Sequence, residues 1–506
     1  MNNPLVLLPI LIPLAGAPVA LLLAVRPRAQ SGWALGVMLT ALTCSLLLLA
    51  QVWRSGQPVV YEMGDWQAPF GIVFVGDMLS ATMAVMTQFV LLMGVVYALG
   101  SKDKVIGYPA FYVLFLTLTT GLSGAFLTGD LFNLFVFAEL LVFSGAILTA
   151  NSDDPFGVEA ALKYFYMSLL ASATLLLANG VLYVSYGTLN MADLAVRIAA
   201  DPTQPLLAAG IVFLLVTFMI KSAVFPFHFW QPDFHAAATT PVSAMLSSVV
   251  VKLGVYGFLR MTTLLFVQQA PMLGSLLVGL GIVGVVYGGL GAIGTHNAKR
   301  MLAYSTLAQV GFILVAIGWG TPLALAAAVI FTVNHSIVKS AMLMLAGVVA
   351  SRAPVKTASF EVVQGLGKHM PGAGALFLVG GLALAGIPPT NGFISKLTLF
   401  QSGIQAEQWW SLLLLGFASI FTLIYVVRSF MRIWWQPAAG SRYGEDAYST
   451  NEVKPKSYGD RVIAPALLIA AALLLGLWPE PLVNLATDVS RWLGDPAAYI
   501  GAVIGG

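Results

Sequence analysis

The sequence predicts an all-α membrane protein with fourteen transmembrane helices. Three observations carry that expectation. Of 506 residues, 59% are hydrophobic and 9% charged, against about 25% charged in ordinary soluble proteins. The shortage of charge extends along the whole chain, so most of it must sit in lipid. The apolar runs are continuous rather than alternating every second residue, which selects helices over a barrel.

Composition also excludes several classes. A net charge of +3 is too small to argue for nucleic acid. The one cysteine, Cys44, lies in an apolar run and reads as a small core residue. A lone thiol makes neither an internal disulfide nor a multi-cysteine metal centre. No dinucleotide fingerprint, P-loop, CxxC or HExxH is present, so no cofactor and no metal is expected.

The first apolar run, in MNNPLVLLPILIPLAGAPVALLLAV, lacks a basic leader and is long enough to span a bilayer, so it reads as a retained helix rather than a signal peptide. The fourteen windows fall at 4–25, 33–53, 76–99, 109–128, 131–150, 160–186, 206–230, 241–266, 271–294, 301–317, 323–350, 372–402, 410–434 and 462–484. Basic residues gather after the odd-numbered helices: Arg26 and Arg28, Lys102 and Lys104, Lys299 and Arg300, Arg352, Lys356 and Lys368, and Arg432, Arg442, Lys454, Lys456 and Arg461. The opposite loops hold little beyond Arg54 and Arg197. By the positive-inside rule the odd-to-even loops are cytoplasmic and both termini lie outside. The polar stretch 435–461 reads as a cytoplasmic loop.

Charges inside the spans carry the functional information. Glu139 lies in helix 5, Lys221 in helix 7, Lys252 in helix 8, His335 and Lys339 in helix 11, and Lys396 in helix 12. An ionised side chain at mid-bilayer costs about 2.5–3.5 kcal/mol on insertion scales. Glu139 and the four lysines, all unpaired, would cost roughly 12–17 kcal/mol, so these groups must pair, line water, or spend time neutral. Lysine differs from arginine here, because an ammonium taken out of water can release its proton and a guanidinium cannot. A fixed ion pair explains one such lysine. Four lysines, a glutamate and a histidine on separate helices argue for a proton path. His335 and Lys339 are four residues apart and share a helix face. Arg260, near the end of helix 8, reads as an interfacial anchor.

Two helices are interrupted beside these lysines. Pro226 follows Lys221 in helix 7, and Pro388–Pro389 precedes Lys396 in helix 12. Proline frees backbone carbonyls, which a membrane tolerates only beside a polar cavity. Breaks at matching places in two halves point to an inverted-repeat transporter. The expected layout is helices 1–3 (1–108), a first five-helix repeat of helices 4–8 (109–266), a second of helices 9–13 (267–434), and a loop with helix 14 (435–506). His228, Asp233 and His235, in FPFHFWQPDFH, and Lys299 are accessory candidates for handling protons. A metal held by the two histidines is a weak alternative.

The stretches GDLFNLFVFAELL, KSAVFPFHFWQPDFHAAATTPVSAMLSSVVVKLGVYGFLR, HNAKRMLAYSTLAQVGF and GIPPTNGFISK resemble the antiporter-like subunits shared by respiratory complex I, membrane-bound hydrogenases and Mrp-type cation/proton antiporters. The resemblance runs from about residue 76 to 430. It is strongest to the D branch of the Mrp (Mnh, Pha) group, through GDLFNLFVFAE, YGTLNMADLA and Lys252. The two histidines of PFHFWQPDFH depart from that branch in detail.

The resemblance implies roles by position. Glu139 and Lys221 match a half-channel pair, Lys252 a connecting residue, His335 and Lys339 a central axis, and Lys396 the terminus of a second half-channel. It also implies a bacterial inner-membrane, multi-pass chain. Its partners would be A, B, C, E, F and G-like subunits and membrane lipid. The ions would be H+ and Na+, with K+ or Li+ as alternatives, and no redox group would be bound. A proton-pumping arm of a complex I-like or hydrogenase complex would read almost identically, and a purely structural scaffold is the third reading.

Overall fold

The computed structural model describes residues 3–151, 155–353, 357–436 and 459–505. Most of the 435–461 stretch, with Arg442, Lys454 and Lys456, lies outside the described residues, as does Lys356.

The described residues are almost entirely helical. The first part runs α1 (Leu8–Leu22), α2 (Pro27–Ser55), α3 (Met78–Gly100), α4 (Phe111–Leu127), α5 (Leu131–Ala150) and α6 (Pro155–Tyr186). Then come α7 (Met191–Ala200), α8 (Leu207–Lys221), α9 (Trp230–Ala237), α10 (Thr240–Met245) and α11 (Lys252–Arg260). π-helical turns at Leu246–Val250 and Met261–Leu265 make Thr240–Leu265 one span. The second part runs α12 (Ala270–Gly294), α13 (Ala298–Trp319), α14 (Pro322–Arg352), α15 (Pro371–Ala385), α16 (Asn391–Gln405), α17 (Trp409–Phe430), α18 (Ile463–Leu477), α19 (Glu480–Gly494) and α20 (Pro496–Ile504).

Among the described residues nine helices are long and apolar enough to cross a membrane, and α1, α4, α8 and α15 are shorter apolar helices. The span Thr240–Leu265 is wholly buried and α14 is 94% buried over its apolar window, whereas α6 and the spans at 267–294 and 409–435 are 39% buried. The first two therefore form the axis of the molecule, and the others form its apolar rim.

Start signals act where the sequence carries them. Asp77 caps α3 in a reciprocal box with Ser80, Asp130 accepts from the Asn133 amide to cap α5, and Asn297 caps α13. Close helix contacts rest on glycine. A Cβ on Gly281 would lie 2.6 Å from the Gly311 carbonyl oxygen, and one on Gly274 2.4 Å from that of Gly318, so α12 and α13 meet along a glycine seam.

Both expected interruptions are present. α8 stops at Lys221, and the chain resumes helix only at Trp230, with Pro226 in the gap. α15 stops at Ala385, and Pro388–Pro389 fill the gap before α16.

Three features differ from expectation. Helix 14 ends at Leu477, and the chain bends by 79° into α19, because Trp478 and Pro479 interrupt it and the amphipathic α19 then packs against α14 and α3. The polar gap before α3 holds an antiparallel pair, β1 (Val59–Glu62) and β2 (Val73–Gly76). α7, in the stretch after helix 6, packs against α20. All three were hidden because apolar-window reading registers length and hydropathy, not short amphipathic elements.

Candidate functional site

The site is a row of charged and polar side chains through the middle of the bundle. It begins between α5, α6 and α8. Glu139 on α5 is half-buried and accepts a hydrogen bond from Ser172 on α6. Lys221 closes the last turn of α8, and its Nζ is buried without a hydrogen-bond partner. Glu139 lies within electrostatic reach of Lys221, but the two make no direct ion pair. The Lys221 break is held against α11 by Gly254, where a Cβ would fall 2.0 Å from Ser222 Oγ and 2.4 Å from the Phe218 carbonyl oxygen.

The centre is formed by α11, α13 and α14. Lys252 is fully buried, and its Nζ lies 2.6 Å from His335 Nδ1. The π-helical turn just before Lys252 is a frequent mark of functional sites. Lys339 donates to the Leu302 carbonyl at 3.1 Å and to Ser305 Oγ at 2.7 Å. His335 and Lys339 share a helix face, yet their bonds run in different directions. His335 faces α11 through Lys252, and Lys339 faces α13 through Leu302 and Ser305.

The second break holds Lys396. Its Nζ donates to the Ala385 carbonyl at 2.9 Å, a group freed by the end of α15, and lies 5.2 Å from the Phe312 ring centroid. The carbonyl end of a helix favours a cation. An internal cavity of about 10 Å³ joins Lys396 to His335, with Gln309, Asn334 and Ser395 also in its wall. That is the space of about one water.

Among the described residues, none of Lys221, Lys252, Lys339 and Lys396 pairs with a carboxylate. Three have only neutral partners and the fourth has none. The sequence left three states open for such groups: pairing, lining water, or spending time neutral. The bundle spreads the lysines over four helices and gives them carbonyls, a hydroxyl and an imidazole.

The accessory candidates separate into three places. His228 stacks on Phe225 and meets Tyr287 edge-on. His235 is buried with Nδ1 3.4 Å from Ser243 Oγ. Asp233 bridges Lys163 and Arg300, each at 2.9 Å. Lys299 reaches inward to the Ala238 carbonyl at 3.1 Å. It lines a 660 Å³ cavity with Lys102, Lys104, Thr239, Arg300 and Asp460 at the basic end of the bundle. Lys299 and Lys339 both lie within electrostatic reach of His235. No group of three or more His, Cys, Asp or Glu is placed to hold a metal ion among the described residues.

Arg260 is corrected from an anchor to a buried residue. It forks onto Asp77 at 2.7 and 2.8 Å, and its guanidinium lies 5.0 and 4.9 Å from the rings of Tyr256 and Tyr499. α3 and α20 close over it, whereas a helix-end position in sequence suggests exposure. Ser172, Ser305, Gln309 and Tyr425 were also missed. They are neutral, and only a scan for uncharged polar residues inside spans would find them.

Residues 128–422 match the family described as NADH:quinone oxidoreductase/Mrp antiporter, TM. The chain is similar to the D-type subunit of the Na(+)/H(+) antiporter of Alkalihalophilus pseudofirmus, 32% identical over 507 residues and all of both chains. A chain in the Mrp complex of Dietzia sp. DQ12-45-1b superposes with TM-score 0.89 and 27% identity, over 99% of this chain and 100% of that one. A chain of an archaeal membrane-bound sulfane sulfur reductase superposes with TM-score 0.89 and 29% identity over the same shares. With more than half its length in the family match and a full-length relative above 30% identity, the chain belongs to the NADH:quinone oxidoreductase/Mrp antiporter transmembrane family.

Proposed function

We propose that this chain is the proton-translocating, D-type subunit of a multisubunit Na+/H+ antiporter in the bacterial inner membrane. One observation carries the reading: four lysines are buried on four helices without a carboxylate partner. A scaffold would pin such charges in ion pairs, as Asp77 pins Arg260. The absence of a carboxylate partner leaves each lysine free to exchange its proton, which lysine, unlike arginine, can do out of water.

In this reading protons move between Glu139 and Lys221, pass Lys252 and His335 or Lys339, and reach Lys396. The basic-end cavity by Lys299 and His235 is a cytoplasmic mouth. The chain crosses the membrane fourteen times, counting each broken helix as one crossing, with both termini outside. Residues 109–266 and 267–434 are inverted repeats, each with one broken helix. Glu139 is half-buried on a face that exposes Phe132, Val136, Phe143 and Ile147. A carboxylate at that depth is costly against lipid, which favours a neighbouring subunit there. Partners are A, B, C, E, F and G-like subunits, and sodium crosses in the assembled complex.

The test is antiport by everted vesicles carrying the whole complex. Glu139→Ala and Lys221→Met should each abolish it while the complex still assembles, and parental activity in both would overturn the reading. The equal superposition on a respiratory sulfur reductase chain supports a second reading, a pump arm of a redox complex. Iron–sulfur protein genes beside this one would decide for it, and small Mrp-type membrane subunits against it.

A further inference from the structure

The centre of the bundle contains a second hydrogen-bonded line that none of the charged residues accounts for. Lys339 donates to Ser305 Oγ at 2.7 Å, and Ser305 Oγ lies 2.7 Å from the Tyr425 hydroxyl. Gln309 flanks the same phenol oxygen. All four side chains are at most 2% exposed. Ser305, Gln309 and Phe312 follow one face of α13 at spacings of four and three residues. Their line rises about 10 Å, from the level of Lys339 to that of Lys396, which sits over the Phe312 ring. α17 contributes Tyr425 from the side.

Gln309 also lines the water-sized cavity that touches His335 and Lys396. Two nitrogens of the lining residues, Gln309 Nε2 and His335 Nε2, are buried without partners. Buried polar groups left in this state are ordinarily satisfied by an ordered water. Two chains of contacts therefore converge on one cavity. One runs from Lys252 to His335, which lines the cavity, and the other from Lys339 through Ser305 to Tyr425, with Gln309 between that phenol and the cavity.

We propose that Ser305 and Tyr425 relay protons between Lys339 and Lys396, with Gln309 as the positioning residue that holds the bridging water, so that this branch bypasses His335. The proposal rests on the proton-path reading above. The step balances without a co-reactant. The Lys339 ammonium gives a proton to Ser305 Oγ as the serine proton passes to the Tyr425 oxygen. The phenol proton passes to the water, and a water proton passes to the neutral Lys396 amine. Lys339 ends as the amine and Lys396 as the ammonium, and the hydroxyls reset by rotation. Serine and tyrosine suit this role because each hydroxyl both donates and accepts.

The test uses Tyr425→Phe, which removes one oxygen, in the intact complex in everted vesicles. Antiport should fall roughly tenfold, about the cost of one hydrogen bond in the transfer barrier, with co-purification of the partner subunits unchanged. Ser305→Ala should fall similarly, and the double variant should be no slower than either single, since both cut the same branch. Gln309→Leu carries the same expectation if Tyr425→Phe lowers the amount of assembled complex. A parental rate in Tyr425→Phe, or losses that multiply in the double variant, would overturn the relay. Lys339→Met and Lys396→Met run alongside. If both lose antiport while Tyr425→Phe keeps it, only the relay fails. If both keep it, the proton-path reading fails and the relay with it.

Discussion

Single residues in this bundle divide by what they are bonded to. Arg260 and Asp77 form a forked, fully buried pair, and such a pair is costly to break from one side. Arg260→Leu leaves a carboxylate buried and unpaired, and should cost about 3–5 kcal/mol. Chemical or thermal unfolding of the purified complex measures it, and Asp77→Leu in the same chain should recover most of the loss. The lysines make the opposite prediction. Lys252→Arg keeps the positive charge beside His335 but removes the exchangeable proton. It should reduce antiport to background while the complex assembles, and a normal rate would show that Lys252 acts as a fixed charge. That these lysines stand inside the bundle was legible in sequence because a charge in an apolar run is conspicuous. Their partners were not, since Ser172, Ser305 and Tyr425 lie 33, 34 and 120 residues from the groups they contact.

At the scale of elements, the two interruptions and the contacts around them set where the lysines stand. α8 ends at Lys221 because Ala223 adopts φ 52°, and the Val224 amide turns back to the Met219 carbonyl at 2.9 Å. A left-handed alanine costs roughly 1–2 kcal/mol, so surrounding packing must hold the turn. Gly254 supplies part of that packing by letting α11 press on the last turn of α8. Gly254→Ala should push α11 away, since the clash at 2.4 Å is with backbone. We expect a loss of about 1–3 kcal/mol together with reduced antiport, as Lys252 shifts relative to Lys221. Thermal melting and vesicle transport measure the two effects. The prolines announced both breaks in the sequence. The need for glycine at position 254 could not be read there, because it depends on a helix that approaches from about thirty residues upstream.

For the whole molecule, the distribution of basic loops gives the proposed path its expected direction. The 660 Å³ cavity lies at the end that carries Lys102, Lys104, Lys299 and Arg300, which the positive-inside rule places in the cytoplasm. An alkaline phosphatase fused after the C-terminus should therefore be active and a green fluorescent protein fused there dark, and the reverse result would invert the proposed direction. The ends of the chain add to the same bundle. α19 and α20 pack against α14, α3 and α7, and Tyr499 closes over Arg260.

The sequence by itself determined the class of the molecule, most of its long helices, both broken helices and the charged residues inside them. Each of these is local: a hydropathy window, a proline, or an ionisable group in an apolar run carries its own energetic consequence wherever the chain goes. Tertiary structure alone decided the pairing. It buried Arg260 against Asp77 and kept Lys221 apart from Glu139. It turned His335 and Lys339 toward different neighbours, and it brought Ser305, Tyr425 and Gln309 into line between two lysines. Contacts between helices far apart in sequence depend on how the whole bundle packs, and a polar side chain inside a membrane takes whichever partner that packing places within reach.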